Sequence, residues 1–146
     1  NDHPMGRTCD VIRSGEQVYA VMPDEQTWSL IAYDGPFEGP GSMVEVDGGT
    51  PGSRQLIGAD PVLYEGEDGR IYVAYQDSTN NDLLMNVYDP QAGWGRAQYV
   101  ATDGAVGFDN SIYVDGNDVI VGTVELRTTS GGRDNSRLRV FRLNLE

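Results

Sequence analysis

A unit of short strands and tight turns recurs three times along this chain, and its period restricts the folds open to it more than any other feature. The clearest copy is ADPVLYEGEDGRIYVAYQDSTNNDLLMNVYD at 59–89. Residues 62–65 read as a strand and Glu67-Asp68-Gly69 as a turn. A second strand follows at 70–76, then a turn-rich 78–82 and a third strand at 83–88. Alternation of period two over 70–76 sets Ile71, Val73 and Tyr75 on one face and Tyr72 and Ala74 on the other. A weaker fourth strand at 97–101 comes after the Gly93-Trp94-Gly95 turn. Upstream, 9–15, 17–22, 28–34 and 43–47 match these four strands. Downstream, 108–116, 118–126 and 137–144 match the first three. Tyr19, Tyr72 and Ile120 hold equivalent positions, 53 and 48 residues apart.

Four short antiparallel strands in chain order, repeated at this spacing, describe blades of a β-propeller. The expected fold is therefore all-β: three antiparallel four-stranded blades at about 9–50, 58–104 and 107–146, after a polar arm at 1–8. The last blade is incomplete, with no strand pattern after 137–144. Three blades do not close a ring, so the segment is expected to belong to a larger propeller or to assemble with a second copy. Half of the basic residues, Arg127, Arg133, Arg137, Arg139 and Arg142, gather in the last blade, with Asp134 and Glu146 beside them in sequence. Arg137, Arg139 and Arg142 are candidate contacts to an acidic neighbouring blade. The alternative is a solvated strand with outward arginines.

Charge and composition narrow the partners. The 146 residues carry 23 acidic and 10 basic side chains, a net charge of −13, and every basic residue is arginine. Such a surface repels nucleic acid and anionic membranes, and no apolar run is long enough to insert into a bilayer. An acidic, lysine-free chain suits an exported protein or one living in salt, so an extracytoplasmic location is expected. Residues 1–9 carry no signal-peptide pattern, as a mature exported chain would not. Cys9 is the single cysteine, which rules out an internal disulfide and reads as a small buried residue. A single histidine excludes a Ser-His-Asp triad, histidine acid–base chemistry and a multi-histidine metal site within this chain. Asn1-Asp2-His3 could chelate Cu(II) or Ni(II) if Asn1 were a free terminus, or is simply a polar arm that contains a histidine. Phosphate-cradling glycine motifs, paired-cysteine zinc patterns and nucleophile elbows are missing from the sequence.

Three aspartates, Asp10, Asp60 and Asp109, recur at one repeat position, next to the strand that lines a propeller's channel. Converging there, they could coordinate Ca²⁺, act as acid and base on a glycosidic bond, or simply cap backbone amides. Asp77, Asn80, Asn81 and Asp82 gather oxygen ligands in one turn, a second candidate for Ca²⁺, or else form an ordinary Asx-rich hairpin. Tyr33, Tyr72, Tyr75, Tyr88 and Trp94 would either stack on carbohydrate or pack between blades.

Two resemblances follow from these residues. ADPVLYEGEDGRIYVAY at 59–75 resembles the repeats of the five-bladed propeller glycosidases of the arabinanase and xylosidase group. In that group an Asp-Pro opens a blade and a DG turn precedes an aromatic strand. The resemblance implies a general base and a pKa-modulating carboxylate at Asp10 and Asp60. The group's acid is a glutamate opening a later blade, where this chain has Asp109, and Asp10 is followed by Val11 rather than proline. IYVAYQDSTNNDLLMNVYDPQAGWGRAQYV at 71–100 is similar to tandem repeats of exported bacterial propellers, with the pattern Y-x-D-x-x-N-x-D-L followed by G-W. That resemblance implies a binding or scaffold module without catalysis. The expected function is accordingly a non-enzymatic binding or scaffold segment of a secreted or cell-surface propeller, completed by another segment or copy. The alternative is part of a propeller glycoside hydrolase using Asp10 and Asp60. Ca²⁺ and carbohydrate are the ligands this reading admits.

Overall fold

The computed structural model describes residues 8–48, 55–127 and 136–145, and these hold twelve strands and no helix. The first sheet is β1 (Asp10–Ser14), β2 (Gln17–Asp24), β3 (Ser29–Pro36) and β4 (Ser42–Gly48), side by side in chain order. The middle sheet contains β5 (Ile57–Glu65), β6 (Ile71–Asp77) and β7 (Asp82–Asp89). Two short pieces, β8 (Gly93–Trp94) and β9 (Gln98–Ala101), both pair with β7. The third sheet is β10 (Ala105–Asp115), β11 (Asp118–Leu126) and β12 (Arg137–Asn144). Every pairing is antiparallel. The outer edge of β12 has no strand partner among the described residues.

Alternation decides how the sheets stack. All seven residues of β6 are buried, because each of its faces meets another sheet. Ile71, Val73 and Tyr75 pack on Val21, Leu30 and Ala32 of the first sheet. Tyr72 and Ala74 join Leu83 and Met85 against Val119 and Val121 of the third. Two apolar layers therefore hold three sheets, and the middle sheet belongs to both.

Local chemistry repeats with the sheets. Asp24 and Asp77 each close a hairpin in which the fifth residue, Trp28 or Asn81, takes a left-handed φ of 62° or 61° and donates its amide to the aspartate carbonyl. Gly58 and Gly107 share a φ of 95°, and Asp60 and Asp109 share 46°. A Cβ on Gly58 would lie 2.7 Å from Leu30, and one on Gly107 would lie 2.7 Å from Gln76, so glycine permits the close approach of adjacent sheets.

These bulged stretches correct the strand boundaries expected from alternation. The innermost strands begin at Ile57 and Ala105, upstream of 62 and 108, and run through register shifts that break the period-two pattern. The fourth strand of the middle sheet is divided, with Gly93 and Trp94 inside β8 instead of a turn. Cys9 is exposed, not buried, because it precedes the first paired residue of β1, Asp10, and reaches neither layer. Its neighbours at 1–7, including the Asn1-Asp2-His3 chelate candidate, lie outside the described residues.

Because the layers share one sheet, damage to either should unfold the whole. Leu30→Ala in the first layer and Met85→Ala in the second are each expected to cost about 2–5 kcal/mol. Both should unfold in one transition in urea. The exposed Gln91→Ala should stay within about 0.5 kcal/mol of the parent.

Candidate functional site

The innermost strands β1, β5 and β10 each pair on one side only, which leaves edge amides in need of acceptors. Asp10 and Asp60 supply them across the sheets, though not from the single repeat position expected from the sequence: Asp10 pairs with Val21 where Val62 pairs with Ala74 and Ser111 with Gly122. Asp10 Oδ2 accepts the amide of Leu63 on β5 at 2.7 Å, while its Oδ1 accepts the amide of Val11 at 2.9 Å. Asp60 Oδ2 accepts the amide of Asp109 on β10 at 3.4 Å. Asp60 N donates to Thr8 Oγ1 at 3.2 Å, and Asn110 Nδ2 donates to the carbonyls of Asp60 and Gly107 at 2.9 and 2.8 Å. Among the described residues Asn110 Oδ1 is buried without a hydrogen-bond partner. The structure thus links Asp10 to the middle sheet and Asp60 to Asp109, sheet to sheet. Among the described residues no three His, Cys, Asp or Glu side chains come together as a metal ion requires. Beside Asp60 a cleft of about 260 Å³ opens between Thr8, Pro23, Leu56 and Ala59.

The oxygen-rich turn is organised by its own donors. Asp77 Oδ1 accepts the amides of Thr79 and Asn80 at 2.9 and 3.3 Å, and Oδ2 accepts Asn80 Nδ2 at 2.7 Å. Asp24 treats Gln26 and Thr27 in the same way. Asp82 lies close enough to Asp77 that burial first, and the Asp77 charge second, push its carboxyl up.

The aromatic candidates divide. Tyr72 and Tyr75 are 2% and 0% exposed and pack between sheets, which removes them from any sugar-stacking surface. Tyr88 sits between Tyr19 and Trp94, with ring centroids 5.6 and 5.4 Å away. The Tyr33 ring lies over Gly35 and Gly41. Sequence reasoning missed that the Tyr75 hydroxyl donates to Asp47 Oδ2 at 2.7 Å, bridging the first and middle sheets. Burial raises the Asp47 carboxyl despite this hydrogen bond and raises the Tyr75 hydroxyl as well. At the far end of β6, Arg70, Asp89, Trp94, Gln98 and Asn144 line an open groove of about 510 Å³.

The arginines of the third sheet find partners within it and in the strand connection before it. The register sets Glu125 opposite Arg137 and Ile120 opposite Arg142. Glu125 is 4% exposed and accepts Arg127 Nε at 2.8 Å and Arg137 Nε at 2.7 Å. Arg139 bonds the carbonyl and carboxylate of Asp103 and lies 4.7 Å over the Phe141 ring, and Arg142 pairs with Asp118. Arg133, Asp134 and Glu146 lie outside the described residues. Hydrogen bonds from Arg127 and then Arg137 hold the Glu125 carboxyl below the usual glutamate range.

Two outcomes are expected of this geometry. Asp10→Ala orphans the Leu63 amide and should cost about 1–3 kcal/mol in denaturant melts. Glu125, with its depressed folded pKa, contributes stability that is complete above the unfolded value of about 4.3 and is lost as pH falls through the folded one. Thermal melts of Glu125→Gln should therefore fall less steeply below about pH 4 than those of the parent.

No family model matches the chain, and no curated protein matches it. Among solved structures it is similar to a bifunctional GH43-CE protein of Bacteroides eggerthii, at 14% identity and a TM-score of 0.52. The match covers 89% of this chain and 19% of that one, so this chain spans about a fifth of its length. At that identity the likeness is one of fold alone, and it supports a propeller-like stack of antiparallel sheets.

Proposed function

We propose that this chain is a non-enzymatic binding or scaffold segment of an extracytoplasmic β-propeller, completed by further sheets from another segment or copy. One observation carries the reading. Two of the three candidate carboxylates accept backbone amides of the next sheet, Asp10 that of Leu63 and Asp60 that of Asp109. Acid–base work on a glycosidic bond needs two carboxyls turned toward the substrate, and these two are turned toward the amides of a neighbouring sheet. The groove beside Trp94 offers an aromatic ring with planar polar neighbours, the chemistry that binds carbohydrate.

A second reading, part of a propeller glycoside hydrolase using Asp10 and Asp60, draws on the likeness to the bifunctional GH43-CE protein and on the cleft beside Asp60. Hydrolysis of nitrophenyl arabinofuranosides and xylosides separates the two. The expected result is no turnover above the uncatalysed rate. Turnover that disappears in Asp10→Asn and Asp60→Asn overturns the scaffold reading. Thermal melts with calcium chloride address the cation at Asp10, Asp60 and Asp109 or at Asp77, Asn80 and Asp82. A stabilising shift lost in Asp60→Asn assigns it to the first group, and one lost in Asp77→Asn to the second.

A further inference from the structure

One buried row of β11 ends in a charge. Val119, Val121, Thr123 and Glu125 alternate along one face of the strand, and all four are buried. An ionised carboxylate at the end of such a row needs cations beside it. Strand geometry supplies two. Arg137 is the register partner of Glu125 on β12, and Arg127 lies two residues on from Glu125, which in extended chain is the same face. Each guanidinium is held through Nε: Arg127 Nε donates to Oε1 at 2.8 Å and Arg137 Nε to Oε2 at 2.7 Å. Gly104 leaves room for the carboxylate, since a Cβ there would lie 2.9 Å from Oε1.

The outer nitrogens of these two arginines are unspent. Among the described residues nothing accepts a hydrogen bond from Nη1 or Nη2 of Arg127 or Arg137, and each side chain is 49% exposed. Their neighbours on β12 differ. Arg139 gives both terminal nitrogens to Asp103 and is 18% exposed, and Arg142 pairs with Asp118. Arg127 and Arg137 are thus two open forks anchored on the two oxygens of one buried carboxylate. A guanidinium already anchored loses less freedom when a ligand arrives.

We infer that Arg127 and Arg137 together bind a phosphate dianion, free or as a phosphate monoester. A planar fork fits two oxygens of a phosphate, and two forks match the two charges of the dianion. A carboxylate brings one charge and two oxygens, enough for one fork. Local charge favours the anion. Arg127, Arg137 and Arg139 surround Glu125 and Asp103, an excess of one cation in a chain of net charge −13. Screening over about 8 Å at physiological ionic strength weakens the pull of more distant carboxylates. The site shares no residue with Asp10, Asp60 and Asp109 or with the groove beside Trp94, so it goes beyond the scaffold reading and does not depend on it.

Nuclear magnetic resonance titration of the isotope-labelled full chain tests this, with inorganic phosphate, glycerol phosphate and acetate at equal ionic strength. The pH is set above the second phosphate pKa, about 6 for an ester. The signals of Arg127 and Arg137 should shift saturably with both phosphates, and acetate should bind at least tenfold more weakly. Arg127→Gln and Arg137→Gln should each weaken phosphate binding at least tenfold, whereas Arg142→Gln should leave it unchanged. Arg127→Lys keeps the charge but loses the fork, and should also bind several-fold more weakly. Arg127 follows the last residue of β11, so its variants test the site even if a change at Arg137, inside β12, disturbs the strand. Tighter binding of glycerol phosphate supports a monoester ligand, and tighter binding of inorganic phosphate supports the free ion. The inference is overturned by the lack of a saturable shift with either phosphate, by acetate binding as tightly, or by full binding in Arg127→Lys.

Discussion

Burial of β6 on both faces is the constraint from which the rest of the structure follows. A strand exposed on one face needs one partner layer, whereas Ile71 to Asp77 leave no side chain to water and so require two. The hydroxyl of Tyr75 and the amide of Gln76 lie within that buried run and need partners there. Tyr75 finds Asp47 in the first sheet, and Gln76 donates to the carbonyl of Val106 in the third at 2.8 Å. The two polar groups thus tie β6 to a different neighbour on each side, and the apolar layers and these hydrogen bonds demand the same stacking order.

A stack of sheets leaves the edges of its innermost strands facing one another without enough backbone partners. Here side chains bridge the gap. Asp10, Asp60 and Asn110 cross from one sheet to the next, and Gly58 and Gly107 let the backbones come near enough for them to reach. The left-handed conformations of Asp60 and Asp109 are tolerable because a short polar side chain bears that geometry better than a branched one. Asp60 and Asp109 thus recur with one backbone conformation, whereas Asp10 occupies the register position of Val62 and Ser111.

Electrostatics is arranged on the same local scale. In a chain with net charge −13, scattered arginines would be drawn to many carboxylates. The ladder of β11 and β12 instead selects particular ones: Glu125 faces Arg137, and Arg142 meets Asp118. Glu125 is buried and takes two arginine Nε donors, which keeps it ionised where an unpaired carboxylate would be costly.

The sequence alone determined the features that depend on neighbours within a few residues. The two-faced alternation of 71–77, the Asx-rich turn at Asp77 and the three-fold repetition were all legible, because period, turn chemistry and spacing are local properties. Tertiary structure decided what depends on register between distant strands. It extended β5 and β10 upstream through bulges that erase alternation, left Cys9 in the open, and gave Arg139 and Arg142 to Asp103 and Asp118. It also turned Asp10 and Asp60 toward the amides of the next sheet, because an edge donor such as Leu63 N becomes visible only once two strands lie side by side. Pairing and stacking set those distances, and nothing in the order of residues measures them.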